Sequence, residues 1–398
     1  MNKKWNLKNI DIGKVKELME KLKLPEFLAK LVTVKGIEVN EVEKYIKPML
    51  SEIEEPLKIK DMDKFVDRMI KAIDNKEKVC IYGDYDVDGI TSIIVMYKYL
   101  KELDVDVTYY MPNRLTEGYG LSIEAINEIL EKDKVDLIVT VDCGITAIEE
   151  CLYAKEKGID VIITDHHECS DNIPDAIAVI NPKRKDDESS YKFHAGVGVA
   201  YKCLMALSLK LNLEESSYLK YLDIVALGTI SDIVPLTGEN RILSKYGLEK
   251  MKVTKNIGLS ALIDLCNMTD LDSNFVSFSL APRINACGRM GKADIAVDML
   301  LSKIKTQATV MADRLDELNK ERQSVEREIF EEIINNIEKC DIINKSSIVL
   351  YSSNWHNGVL GIVASKLVNM YYKPVVLLTK ENGVIRGSSR CPLRIFII

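Results

Sequence analysis

Histidine is scarce in this chain: there are four in 398 residues, and two of them, His166 and His167, are adjacent. The nine cysteines are odd in number and contain no C-x-x-C pair. That argues against a disulfide framework or a structural zinc site and for reduced thiols in a cytosol. No apolar run approaches the ~18–20 residues of a membrane span, and the opening "MNKKWNLKNI" lacks the apolar core of a signal peptide, so no membrane partner and a cytoplasmic location are expected. Neither G-x-x-x-x-G-K-[ST] nor G-x-G-x-x-G occurs in a strand-to-helix turn, which counts against a nucleotide switch or a dehydrogenase. An excess of basic charge is also missing. The net charge of −7 argues against a generally adhesive nucleic-acid binder, while leaving room for a local basic groove and for acidic groups that serve bound cations.

What is present describes an ordinary globular protein, 47% hydrophobic and 29% charged, long enough for two or three domains. Residues 1–75 read as short helical segments such as "VNEVEKYIKPML" and "MDKFVDRMIKAIDNK", with a packing role and no chemistry. From 76 to 302 the pattern changes. The runs "VCIYG", "VDVTYYM", "VDLIVTVD", "VIITDHH" and "AIAVIN" predict strands, alternating with the helical spacing of "TSIIVMYKYLKEL", "SIEAINEILEK" and "ITAIEECLYAKEKG". This βαβα rhythm predicts an α/β fold with a mostly parallel sheet covered on both faces, followed by a more helical stretch from about 195. Residues 303–340 are highly charged, free of Pro and Gly, and predict one long connecting helix. Residues 341–398 start a second, smaller α/β unit that does not look complete.

The stretch "IYGDYDVDGITS" sets Asp84, Asp86 and Asp88 at alternate positions and closes them with Gly89, matching the first half of an EF-hand loop. An EF-hand requires a Glu at loop position 12, where this chain has Val95, and a preceding helix where it has β-formers. A polar turn and a catalytic metal site remain. The other acidic residues favour the second. Asp142 ends "LIVTVD", Asp165, His166 and His167 end "VIITDHH", and Asp232 interrupts the apolar "IVALGTISDIVPL". Ligand sites of open parallel sheets lie beyond the carboxyl ends of the strands, so these groups are expected to converge on one rim. Carboxylates gathered there repel one another and call for cations. Many oxygens, one or two imidazoles and no thiolate suit Mn2+ or Mg2+, two ions of which support metal-assisted phosphoester hydrolysis.

"GDYDVDG", "VTVDCGIT", "TDHHE" and "ALGTISDIVPL", in that order, resemble the motifs of the DHH phosphoesterase superfamily. "MPNRLTEGYGLS", "APRINACGRMGKA" and "NWHNGVLGIVASKLV" narrow the resemblance to the RecJ family over nearly the whole chain. It implies a parallel-sheet DHH domain joined by a long helix to a DHHA1-type domain. It also implies a single-strand-specific 5′→3′ exonuclease of DNA repair and recombination that releases 5′-mononucleotides using Mn2+ or Mg2+. The implied partners are single-stranded DNA with a free 5′ end, a single-strand-binding protein and a helicase, with the enzyme a monomer.

By the same resemblance, Asp84, Asp86, Asp88, Asp142, His166 and Asp232 would supply metal ligands, and Asp165 and His167 would orient them or touch the scissile phosphate. Arg114 would hold a substrate phosphate, and Arg283, Asn285 and Arg289 would line the strand's path. His356 and Gly358 would sit at a phosphate-binding helix N-terminus, and Ser388 and Arg390 would receive the 5′-terminal phosphate. Trp355 is read either as a base-stacking or as a core residue. Many relatives carry His where Tyr82 stands, which raises the loss of one ligand.

The resemblance fails at the end. Relatives continue with the rest of DHHA1 and an OB-fold, whereas this chain closes with the apolar "CPLRIFII". A shortened product that keeps the metal core and loses part of the clamp is expected. Two rival readings are a DHH phosphodiesterase of short oligonucleotides or cyclic dinucleotides and a silent nucleic-acid-binding scaffold. The "PRINACGRM" block speaks against the first and the intact acidic set against the second.

Overall fold

The structure, a computed structural model, describes residues 6–267, 270–339, 345–381 and 383–392. The final residues 393–398, on which the shortened-chain expectation leans, lie outside them. Five strands, β1 (Lys78–Gly83), β2 (Asp106–Tyr110), β3 (Leu137–Val141), β4 (Asp160–Thr164) and β5 (Ala178–Ile180), form one sheet. Every neighbouring pair is parallel, in the order β2-β1-β3-β4-β5.

The apolar runs are continuous because both faces of the sheet are covered. On one face Val79, Ile81, Leu137 and Val139 pack beneath the helices Val87–Glu102 and Gly196–Lys210. On the other, Cys80, Tyr82 and Ile138 pack against the helices Ile123–Asp133 and Ile148–Glu156. This strand order reverses direction between β1 and β3, and such a switch point opens a crevice at the strands' carboxyl ends.

Two local departures from the sequence expectation matter for the site. The first helix begins at Val87 instead of Thr91, because Asp86 caps it: its Oδ1 accepts the N–H of Asp88 at 2.8 Å and of Gly89 at 3.1 Å. The aspartates therefore divide between a loop and a helix N-terminus. Asp232 ends the helix Leu222–Ser231, not a strand. Residues 222–230 are buried all round, and helices as well as strands can be uniformly apolar when enclosed.

The helix Lys305–Lys339 joins two cores. Ala308, Ala312, Leu315 and Leu318 pack into the first, and Ile329, Ile333 and Ile337 into the second. The second core lies under a small sheet in which β6 (Ile348–Tyr351) runs parallel to β7 (Val375–Glu381) and β8 (Val384–Arg390) runs antiparallel to β7. The helix Asn357–Tyr371 covers one face of it. At the other end of the chain, Val15, Leu18, Ala29, Val32 and Val42 form a small separate core. The helix Met62–Asn75 instead sends Phe65, Val66 and Met69 into the main core.

Candidate metal centre

The loop after β1 turns sharply enough that a side chain at Gly89 would put Cβ 2.3 Å from the Asp84 carbonyl oxygen. That approach folds Asp84 back over the helix start. Asp88, in the first helical turn, is buried and accepts the backbone N–H of Gly196 at 2.6 Å and of Val197 at 2.9 Å. These amides begin the helix Gly196–Lys210, whose N-terminal dipole favours a carboxylate. Asp142 follows β3 with φ of 60°, a left-handed conformation that Asp tolerates better than most residues. A Cβ at Gly196 would come within 2.5 Å of its Oδ1.

His166 Nε2 lies 3.0 Å from Asp142 Oδ1 and 3.7 Å from both Asp88 Oδ2 and Asp232 Oδ2. Three potential ligand sets result, each with its atoms within 4.8 Å of one another: Asp84, Asp86 and Asp142; Asp88, His166 and Asp232; Asp142, His166 and His167. Asp142 and His166 each belong to two sets, so the sets form one continuous cluster. All six expected ligands are in it, and His167, which was not expected as a ligand, joins them.

Asp165 does not. Its Oδ2 accepts the N–H of Ile145 at 2.9 Å, and its Oδ1 accepts those of His166 at 2.7 Å and His167 at 3.1 Å. His167 Nδ1 lies 2.7 Å from the same Oδ1. Asp165 thus holds the His167 ring directly and the backbone from which the His166 ring extends. Burial pushes its carboxyl up, but the His167 contact and these amides outweigh it and hold it below the usual value. The reciprocal effect raises His167 despite its own burial.

The remaining carboxyls go the other way. Burial and Asp86 push Asp84 up to about 8, burial and Asp86 push Asp88 up to about 7, and burial and Asp88 push Asp232 up to about 7. Asp142 is driven well above its usual value by burial and by Asp88, Asp86, Asp84 and Asp165 beside it. Burial also depresses His166. Asp84 Oδ1, Asp142 Oδ1 and His166 Nε2 are buried with no aligned hydrogen bond among the described residues, the last two facing each other at 3.0 Å without one. Buried polar atoms are ordinarily paired, so these three await something other than protein. A hard or borderline divalent cation fits an oxygen-rich set with imidazole and no thiolate. Tyr82 takes no part: its hydroxyl donates to the Gly120 carbonyl at 2.7 Å and its ring stacks on Tyr110.

Beside the cluster, a groove of about 710 Å3 runs between the main sheet's rim and the small sheet. Arg114, Arg289, Arg386 and Arg390 line it with Tyr85, Tyr119, Asn357 and Ser388, and among the described residues the lining has no carboxylate. Arg289 is pushed down to about 10 by burial and by the Arg114 and Arg322 guanidiniums. So much uncompensated positive charge favours an anion. Tyr119 Oη reaches 3.2 Å from His167 Nδ1, linking groove and cluster.

Four expected substrate residues have other partners. Arg283 donates to Asp316 at 2.9 Å and to the Ser279 carbonyl at 2.7 Å, fastening its helix to the long one. Asn285 accepts the Val87 N–H at 3.3 Å behind the aspartate loop. His356 caps its helix by accepting the Gly358 N–H at 3.1 Å, and Gly358 is wedged so tightly that a Cβ would lie 2.1 Å from the Arg289 carbonyl oxygen. That N–H is therefore already taken and buried. Trp355 is a core residue, 6% exposed, with Nε1 donating to Glu332. Tyr119 and Arg386 also line the groove, although neither is among the residues expected there from the sequence. The glycines around Tyr119, with φ of 93° at Gly118 and 85° at Gly120, were the available signal for a folded loop.

A parallel sheet with carboxylates and imidazoles at its switch point, facing an arginine-lined cleft, defines a phosphoesterase-type α/β protein of the DHH class. Residues 78–229 match the model of the DHH family, N-terminal domain. The chain is 40% identical over 392 residues to the single-stranded-DNA-specific exonuclease RecJ of Bacillus subtilis, covering 97% of this chain and 49% of that protein. Among solved structures, an exonuclease RecJ bound to manganese aligns with a TM-score of 0.77 at 34% identity, covering 85% of this chain and 83% of that one. RecJ of Thermus thermophilus in complex with Mn2+ aligns with a TM-score of 0.83 at 30% identity, covering 97% of this chain and 54% of the other. The chain belongs to the RecJ family. It spans about half the length of the Bacillus subtilis relative.

Proposed function

We propose that this chain is a metal-dependent exonuclease that degrades single-stranded DNA from a free 5′ end and releases 5′-mononucleotides. One observation carries the reading: the buried ligand atoms of Asp84, Asp142 and His166, with no aligned hydrogen bond among the described residues, adjoin a groove walled by four arginines. The name of the Bacillus subtilis relative, a single-stranded-DNA-specific exonuclease, supports it.

Asp84, Asp86, Asp88, Asp142, His166 and Asp232, with His167 beside them, would hold Mn2+ or Mg2+. Such cations activate water at neutral pH and offset charge on a phosphate in hydrolysis. Asp165 orients the His167 ring and anchors the backbone of His166. Arg114, Arg289 and Arg390 pair with phosphate oxygens, for which the planar guanidinium fork is suited, and Ser388 adds a hydroxyl donor. Gly361 leaves space at that point: a Cβ there would lie 3.2 Å from both Ser388 Oγ and Arg390 Nη2. We further take the protein to be a cytoplasmic monomer working beside a single-strand-binding protein and a helicase. Its buried free thiols, among them Cys80, Cys143 and Cys203, suit a reducing compartment.

The test is nucleotide release from a 5′-labelled single strand in Mn2+, beside Asp142→Ala and a duplex control. Release from the single strand alone, abolished in the variant, is expected. Preference for two- to four-nucleotide substrates in a length series would indicate an oligonucleotide phosphodiesterase instead. No release from folded, metal-binding protein would leave a nucleic-acid-binding scaffold.

A further inference from the structure

The loop from 111 to 122 between β2 and the helix Ile123–Asp133 brings Arg114 and Tyr119 to the groove. Within the loop, Asn113 accepts the N–H groups of Thr116 and Glu117 on its carbonyl and that of Leu115 on its side chain. Arg114 itself has no hydrogen-bond partner among the described residues and rests over the Tyr85 ring, 5.0 Å from its centre. Its own contacts are too soft to aim a guanidinium. The next residue is held firmly, from the other side of the groove: Arg386 Nη1, on β8, donates to the Leu115 carbonyl at 2.6 Å.

We infer that Arg386 is a positioning residue, a strut from the small sheet that sets the loop of Arg114 and Tyr119 and so couples the second unit to phosphate capture at the first. The inference rests on the strand-binding reading above. A single guanidinium-to-carbonyl bond spans 271 residues of sequence here, while the loop bends at Gly118 and Gly120. Without the strut, Arg114 keeps its charge and loses its aim. An Arg386 that merely met a phosphate itself would act independently of Arg114.

Those alternatives separate in a double-mutant cycle on nucleotide release from a 5′-phosphorylated strand in Mn2+. Arg114→Ala and Arg386→Met, which retains the stem and lacks the donor, are each expected to lose roughly 10–100-fold in kcat/KM, mostly through KM. The double variant is expected to fall no more than about twofold below the worse single one. Losses that multiply would overturn the proposal. Hydrogen–deuterium exchange of residues 111–122 in the protein alone gives a second readout. It should quicken in Arg386→Met, stay near wild type in Arg386→Lys, which keeps a donor, and be unaffected by Arg114→Ala. Unchanged exchange in Arg386→Met would also overturn the proposal. Should the wild type release no nucleotide, the functional reading fails and the exchange experiment still decides the role of Arg386.

Discussion

Asp165 and Arg283 illustrate how far a residue's neighbours decide its work. Both oxygens of Asp165 are committed to backbone amides and the His167 ring, so its effect on chemistry passes through the imidazoles. Asp165→Asn removes half of that acceptor capacity. Nucleotide release is expected to fall about 10–100-fold, the range for partners that orient a metal ligand, while Asp142→Asn falls further. Equal losses in steady-state assays of the two would contradict the division between ligand and orienting residue. Arg283 is spent on Asp316 and Ser279, both pairs partly buried. Arg283→Ala should leave KM unchanged and lower unfolding stability by about 1 kcal/mol, measured in urea, allowing for partial solvent screening.

At the scale of elements, the aspartate loop works because a helix starts inside it. Asp86 supplies the cap, Gly89 the clearance, and the helix Gly196–Lys210 the amides for Asp88. Gly89→Ala would set Cβ against the Asp84 carbonyl, and backbone cannot yield as a flexible side chain does. The variant is expected to lose at least about 2 kcal/mol of stability and to bind Mn2+ weakly, as calorimetry would show. The spacing D-x-D-x-D-G was plain in the sequence. Its division between loop and helix was not, because Asp86 as a cap and Asp86 as a turn residue look alike until the helix is seen to begin at Val87.

Across the whole molecule, the clustered carboxyls link metal, pH and stability. The folded protein holds Asp84 near 8 and Asp88 and Asp232 near 7, against about 3.9 for an unfolded aspartate. Raised carboxyls bind protons in the folded state that the unfolded chain releases. Metal-free protein should therefore lose stability as pH rises from 6 to 8.5. His166, held below its usual value by burial, works against this at the acid end of the window, costing stability as pH falls through about 6.5. Saturating Mn2+ replaces the protons and should flatten the decline, so melting temperatures at both pH values, with EDTA and with Mn2+, check the linkage. Parallel declines would mean that the cation does not bind these carboxyls.

The order of strands and helices, the convergence of strand-end aspartates and the need for cations were determined by the sequence itself. Apolar periodicity and local charge record which faces are buried and where like charges accumulate. Partnership across the fold left no such trace. The assembled fold alone shows that Arg283, Asn285 and Trp355 hold elements together while Arg386 and Tyr119 face the groove. A side chain's role there depends on atoms 33 to 271 residues away: the Leu115 carbonyl for Arg386, Asp316 for Arg283, and Val87 for Asn285. Residue type and spacing are local, whereas a hydrogen bond needs distance and direction that only the assembled fold supplies.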